Sequence, residues 1–334
     1  MAESYYKSFY SAEQLPDCWD TIAGDNVFLR KKYLEILERT NPCGQVYTVF
    51  YCPEPDSILV TYRLKLDIFT YSLIRLKLPV VIAGIPCSVS RCGYRAGKRT
   101  EAQVFEYLRN LKGAKIVLNS EDNLILGSFA KGLTLPSCRL KIRWSSFEDY
   151  ISDMRSHYRY RINKAIHKFS GVRQVTLNDN SMFDDQLYDL YTAVYSKSEY
   201  KLERLAIDFF REFPSTIIAF YMGTEPIAFV QLAENSKELV FLFGGIDYSK
   251  NLKYDIYSNM LLAIVKHGIE GGFTAIELGQ TAEDTKMKLG GMVYTKYMYV
   301  NHSNGLINTL ILKAIGLLSY RQKDMSFNVF KGGF

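Results

Sequence analysis

Residues 216–246 read TIIAFYMGTEPIAFVQLAENSKELVFLFGGI, and this stretch decides the fold. It divides into three runs of β-branched and aromatic residues, separated by GTEP at 223–226 and NSK at 235–237. Short runs of that composition bounded by turn residues are strands. Before them stands LERLAIDFFREFP (202–214), a helix followed by a proline. After them comes YDIYSNMLLAIVKHGIEGG (254–272), where Ile256, Met260, Leu261, Ile264 and Val265 share one helical face. TAIELGQ (274–280) then closes the series as a further strand.

The same order of elements occurs earlier in the chain, with little identity. The helix FLRKKYLEILERTNP (28–42) runs into QVYTVFY (45–51), ILVTYRL (58–64) and LPVVIAGIP (78–86). The helix TEAQVFEYLRNLKG (100–113) and the strand AKIVLNS (114–120) follow. Two α/β (α+β) halves are expected, each a mixed sheet flanked by helices. Between them SSFEDYISDMRSHYRYRINKAIHKFSGVRQVTL (145–177) predicts one helix, capped by Ser145 or Ser146 and ending near Gly171. Ile151, Met154, Tyr158, Ile162, Ala165 and Phe169 form its buried face, and Arg155, Arg159, Arg161, Lys164 and Lys168 crowd the remainder. The boundary is therefore expected near Arg143, giving halves at 1–143 and 144–334.

Composition narrows the class. Hydrophobic residues make up 48% of 334, enough for one large core or two medium ones. No run reaches the roughly 18 apolar residues of a membrane span. The segment MAESYYKSFYSAEQLPDCWD opens with acids and tyrosines rather than a basic and apolar leader, so a cytoplasmic location is expected. Cys18, Cys43, Cys52, Cys87, Cys92 and Cys138 form no CxxC pair and read as free thiols, without a metal. The apolar segment GLINTLILKAIGLLSYRQK (305–323) is expected to pack against the second half, with contact to a partner or membrane surface as the alternative.

Two segments offer chemistry. GGIDYSKNLKYDIYSNMLL (244–262) joins a strand to a helix N-terminus, where free amides favour an anion or a carbonyl oxygen. Gly244 and Gly245 would let a ligand approach the backbone. Asp255 or Ser258 would cap the helix, and Tyr254 and Tyr257 flank it. The turn lacks GxGxxG, GxxxxGK[ST] and Q/RxxGxG/A signatures. The second segment, AIELGQTAEDTKMKLGGMVYTKYMYV (275–300), places Gln280, Thr281, Glu283, Asp284 and Lys286 in a loop at the C-terminal end of a strand, ahead of a Tyr-rich strand. Acyl transfer to an amine needs a proton acceptor, supplied by Glu277 or Asp284, and a donor to the oxyanion, supplied by Lys286. Glu283 and Lys288 read as solvated. Tyr294 is the acid candidate for a leaving thiolate, while Tyr297 and Tyr299 share the opposite strand face. No Ser or Cys occupies a nucleophile elbow, so direct transfer is expected.

These residues carry a resemblance to the FemABX-like branch of the GNAT superfamily, whose members have two GNAT-like halves. RYRINKAIHKFSGV (159–172) resembles the basic segment that opens the family's second half. GTEPIAFVQLA (223–233) is similar to its Gly-x-x-Pro-Ile-Ala strand pair, and ELGQTAEDTKMKLGG (277–291) to its closing motif. Lys286, Leu289 and Gly290 keep that motif's spacing, with Thr285 where the family has an aromatic. The resemblance implies that Lys286 stabilises the tetrahedral intermediate. It also implies a donor from among acyl-CoA, acyl carrier protein and aminoacyl-tRNA, with no bound cofactor, and a small-molecule amine or amino-acid-like acceptor. A net charge of +6 suits any of these donors, and Arg159 and Lys164 are the residues expected to contact tRNA phosphates. A non-catalytic binding protein on the same fold is the reading from another class.

Overall fold

The computed structural model describes residues 4–67, 76–87, 89–121, 124–322 and 325–332. It divides into two compact units. The first comprises Met1–Pro136, Leu202–Leu205 and Thr295–Gln322; the second comprises Ser137–Lys201, Ala206–Tyr294 and Lys323–Phe334.

The sheet of the first unit runs, in order, Tyr5–Phe9, Val46–Tyr51, Pro55–Asp67, Lys77–Ala83, Ala114–Ser120, Tyr297–His302 and Ala130–Leu133, with Tyr94–Arg95 paired to the third of these. The sheet of the second runs Arg173–Thr176, Thr216–Met222, Glu225–Asn235, Glu238–Ile246, Ala275–Glu277, Ser137–Lys141 and Met292–Tyr294. Both are antiparallel except for one parallel pair at the same place, Lys77–Ala83 with Ala114–Ser120 and Glu238–Ile246 with Ala275–Glu277. The two halves read from the sequence repeat are thus two mixed α/β sheets of one topology.

The boundary near Arg143 needs correcting. The sixth strand of the first sheet, Tyr297–His302, comes from late in the chain, while that of the second, Ser137–Lys141, comes from before the expected cut. A cut at residue 143 would remove an inner strand from each sheet. The Tyr-rich run after Gly291 is accordingly two strands, and Tyr297 and Tyr299 belong to the first unit, where Tyr299 is buried with its hydroxyl 2.7 Å from the Leu124 amide.

The helix expected over 145–171 is two helices, Phe147–Asp153, capped by the Ser146 hydroxyl, and Ser156–Lys168. Met154 and Arg155 between them are extended because the tail pairs there: Met154 bridges Phe330, and the Arg155 amide donates to the Val329 carbonyl at 2.9 Å. Arg159 donates to the Ser152 and Met154 carbonyls and closes the break.

In the second unit Ile256–Glu270 lays Ile256, Met260, Leu261, Ile264 and Val265 on one sheet face against Ile218, Val230, Leu239 and Ile276. On the other face a helix absent from the sequence reading, Asp185–Lys197, starts at the Asp184 cap. Beside it Phe183, Phe209, Phe210, Phe229 and Phe243 meet edge to face or stacked. The helix expected over 202–214 is only Ile207–Glu212, because residues 202–205 pack with the first unit.

The late apolar helix, Gly305–Leu318, lies on the sheet of the first unit through Ile311, Ile315 and Leu318, rather than on the second half. Among the described residues no helix is long and apolar enough to cross a membrane. All six cysteines are free.

Candidate active site

The strand Glu238–Ile246 pairs along its length with Glu225–Asn235, apart from a bulge that leaves Leu242 without an opposite residue. With Ala275–Glu277 it pairs only from Glu238↔Ala275 to Val240↔Glu277. Beyond that point the parallel neighbour ends, and among the described residues no backbone bond reaches the free edge of Phe241, Leu242, Phe243 and Gly244. Backbone amides and carbonyls on such an edge seek a partner.

The chain leaving Glu277 passes this opening in a loop with three left-handed residues, Gly279 at φ +74, Thr281 at +62 and Ala282 at +49. A lysine holds the loop in that shape. Lys286 is 2% exposed, and its ammonium donates to the Gly279 carbonyl at 3.2 Å and the Gln280 carbonyl at 2.7 Å. Burial lowers its pKa from 10.5 to about 8, against the opposing pull of the Cys138 thiol, Glu277 and Glu283.

Lys286 sits on a single helical turn, Glu283–Met287, whose Glu283, Lys286 and Met287 face inward. Asp284 and Lys288 face outward and pair with each other at 2.5 Å. This reverses one expectation: Glu283 is buried beside Lys286, whereas Asp284 is exposed and is not brought to the site. The reason is the i, i+3, i+4 spacing of the inward set. After the turn, Leu289 is buried, with its carbonyl accepting from the Tyr150 hydroxyl at 2.9 Å. Gly290 takes φ +91, and the Phe330 ring fills the space where a side chain would begin. The spaced Lys-Leu-Gly motif is thus a buried cation, a core anchor and a turn. Behind it a cavity of about 140 Å³ is lined by Met287, Gly291, Met292 and Phe327 among others.

Glu277 is fully buried. Its Oε1 accepts from the Gly279 amide at 3.1 Å, and its Oε2 has no hydrogen-bond partner among the described residues. Arg139, its register partner on Ser137–Lys141, brings Nε to 3.8 Å from that Oε2 and to 2.7 Å from Glu238. The guanidinium also lies 5.3 Å over the ring of Tyr294. Next to Arg139, burial pushes the Cys138 thiol up to about 12. The sequence shows Cys138 only as a free thiol and gives no sign of Arg139, because both sit far from Glu277 in the chain; no local signal joins a strand to a neighbour that distant.

The turn before Ile256–Glu270 differs from expectation. It holds a short helix, Tyr248–Tyr254, capped by Asp247. Asp255 is left-handed and makes no cap bond; its carboxylate pairs with Lys168 at 2.8 Å, while Asn251 accepts from the Tyr257 amide at 3.0 Å. Tyr257 is largely buried, with its hydroxyl pushed up by burial and by the nearby Cys138 thiol. Tyr254 packs on the same core, and Ser258 is half-buried without capping the helix. Gly244 and Gly245 serve packing: the space beside them is taken by Met260 and Phe241 for the first, and by Phe229 and Leu190 for the second. Helices press on both faces of the strand there, so neither glycine is left open to a ligand on its side-chain face. Thr281 and Lys164 are exposed and Gln280 half-buried, whereas Arg159 is spent on backbone carbonyls.

Residues 152–287 match the family model described as an acetyltransferase (GNAT) domain. No curated protein matches the sequence at a significant level. Among solved structures, the crystal structure of FemX is similar with a TM-score of 0.52 at 8% identity, over 84% of this chain and 93% of that one. A conserved protein of unknown function from Bacteroides thetaiotaomicron gives 0.52 at 10% identity, over 85% and 96%. A tandem GNAT protein from the clavulanic acid biosynthesis pathway gives 0.49 at 9%, over 90% and 99%. At these identities the likeness to the first two is one of fold.

Proposed function

We propose that the chain is an acyltransferase of the FemX-like GNAT type, residues 152–287 matching an acetyltransferase (GNAT) domain, and that it moves an acyl group from a thioester directly to an amine. The observation that carries this reading is the parting of Glu238–Ile246 from Ala275–Glu277 beside buried Lys286. The free edge at residues 241–244 suits the amide-bearing arm of a pantetheine thioester, carried by CoA or by acyl carrier protein.

In the proposed reaction the acceptor amine gives a proton to Glu277, directly or through water, and its nitrogen bonds to the thioester carbonyl carbon. Two of the three Lys286 N–H groups are held by Gly279 and Gln280, and the third stabilises the oxyanion. As the C–S bond breaks, the thiolate takes a proton, with Tyr294 as the acid. Gln280 and Thr281 border the acceptor, a small-molecule amine or an amino-acid-like one. A Cys138 thiol held at about 12 is a poor nucleophile, which supports transfer without an acyl-enzyme. The reaction would run in the cytoplasm, with the acyl donor as a substrate rather than a resident cofactor.

Asp255 favours a carrier-borne donor over CoA. A CoA pyrophosphate at the Ile256–Glu270 N-terminus would meet the Asp255 carboxylate, already paired with Lys168, whereas the single phosphate of a carrier arm asks less of that turn. Aminoacyl-tRNA is the second reading, favoured by the outward Arg161 and Lys164 on Ser156–Lys168. Thermal-shift measurement with acetyl-CoA, long-chain acyl-CoA, acyl carrier protein and charged tRNA tests the choice. The donor used stabilises the fold by about 2.7 kcal/mol at a hundredfold excess over Kd. A response to tRNA alone, lost with added salt, selects the second reading. A flat response to all four leaves a binding protein without transfer.

A further inference from the structure

The helix Gly305–Leu318 covers the first unit's sheet with one face and leaves the rest uncovered: none of its residues is buried. Leu306, Leu310, Lys313 and Leu317 recur at i, i+4, i+7 and i+11 as an outward stripe, with the three leucines 81%, 66% and 63% exposed. Ile307 and Leu312 flank it at 43% and 40%. A contiguous apolar face of this kind marks a docking surface.

Charge identifies the occupant. From residue 301 to 323 the sequence has no Asp or Glu, and its only formal charges are Lys313, Arg321 and Lys323. Lys313 stands inside the leucine stripe and has no ion pair among the described residues. A lysine there would disturb a packed protein interface, whose core excludes charge. At a bilayer surface it is at ease, because its stem lies with the leucines while the ammonium rises to the phosphates. Fourteen residues give a length of roughly 21 Å, suited to lying in the plane of a membrane and too short to cross one.

We propose that this helix docks the protein on an anionic phospholipid surface, with Leu306, Leu310 and Leu317 entering the headgroup region and Lys313 and Arg321 meeting lipid phosphates. Co-sedimentation of the full chain with phosphatidylcholine vesicles, with and without phosphatidylglycerol, tests it. Binding is expected only with the anionic lipid and is expected to weaken as salt rises. Leu310→Asp and Leu317→Asp should each lower partitioning by more than about tenfold, and Lys313→Gln by about fivefold, with unchanged melting temperatures. If Leu310→Asp fails to fold, Lys313→Gln carries the same comparison. Absence of binding to phosphatidylglycerol vesicles overturns the proposal. So does a wild-type dimer that Leu310→Asp converts to monomer without any vesicle binding, which would assign the face to a second copy of the chain.

Discussion

The two units build the same parallel pair and finish it differently. In the first, Lys77–Ala83 runs beside Ala114–Ser120 as far as Ala83↔Val117. Residues 85–87 and 89–94 follow, with Cys87, Val89 and Ser90 buried. Asn119 donates to the Val89 carbonyl at 3.1 Å, and the Tyr94 and Ser120 hydroxyls meet at 2.9 Å. The protein's own chain thus fills the place where the strands part. In the second unit the pair ends at Val240↔Glu277, the edge beyond is unpaired among the described residues, and a lysine and a carboxylate are buried beside it. One topology therefore serves either as a sealed core or as an open site. Burying Lys286 and leaving Glu277 Oε2 without a hydrogen bond among the described residues both cost stability, as functional sites do.

Removing the lysine breaks the comparison most directly. Lys286→Ala should lower kcat by about 10²–10³-fold, with donor affinity little changed in thermal shift, if the ammonium acts on the oxyanion. Retention of full kcat would mean that Lys286 only ties the Gly279 and Gln280 carbonyls. Glu277→Gln tests the other buried group. As a proton acceptor it should cost about tenfold to a hundredfold in kcat, and a loss confined to KM would remove it from that role.

Lys286 also sets a pH dependence. Its folded-state pKa of about 8 lies below the ordinary 10.5, so between these values the unfolded chain binds more protons and native stability rises with pH. The penalty is fully present below about pH 8, at about 3 kcal/mol. Activity moves the opposite way, because the protonated lysine is the working form: it should fall above pH 8. Lys286→Arg, charged throughout, should push that limb upward while keeping part of the rate. A limb that stays at the same pH in Lys286→Arg would belong to another group.

The contrast between the units explains what sequence alone revealed. The repeat was readable because apolar runs such as TIIAFYM and QVYTVFY keep strand composition whichever sheet they join. The exchange of Ser137–Lys141 and Tyr297–His302 was not, because local pattern says that a segment is a strand but not which neighbour it takes. The Lys286-Leu289-Gly290 spacing was found, yet five residues are too few to show which side of Glu283–Met287 faces inward. Glu283 and Asp284 were interchanged for that reason. Gly244 and Gly245 looked like room for a ligand because sequence cannot show that Met260 and Leu190 occupy it.

The sealed unit makes its own prediction. Asn119→Ala removes the bond to Val89 and puts a side chain without local hydrogen bonding at φ +58. It should cost about 1–3 kcal/mol in urea denaturation while leaving kcat per folded molecule unchanged. A fall in kcat at full folding would show that chemistry is not confined to the open unit.

The smallest effect is the sharpest test of how Glu283–Met287 is oriented. Asp284 pairs with Lys288 across the exposed side of the turn, and their side chains are 51% and 31% exposed. Such i, i+4 pairs contribute about 0.3–0.5 kcal/mol and are screened by salt. Asp284→Asn should therefore change stability by no more than that and kcat by less than about twofold, whereas Glu283→Gln, beside the lysine, should shift the alkaline limb downward by removing a charge that holds the proton on. A tenfold or greater loss in Asp284→Asn would mean that the turn presents its other face to the substrate. The proton acceptor would then be Asp284, and the opening of the second unit would be served from outside rather than from its buried edge.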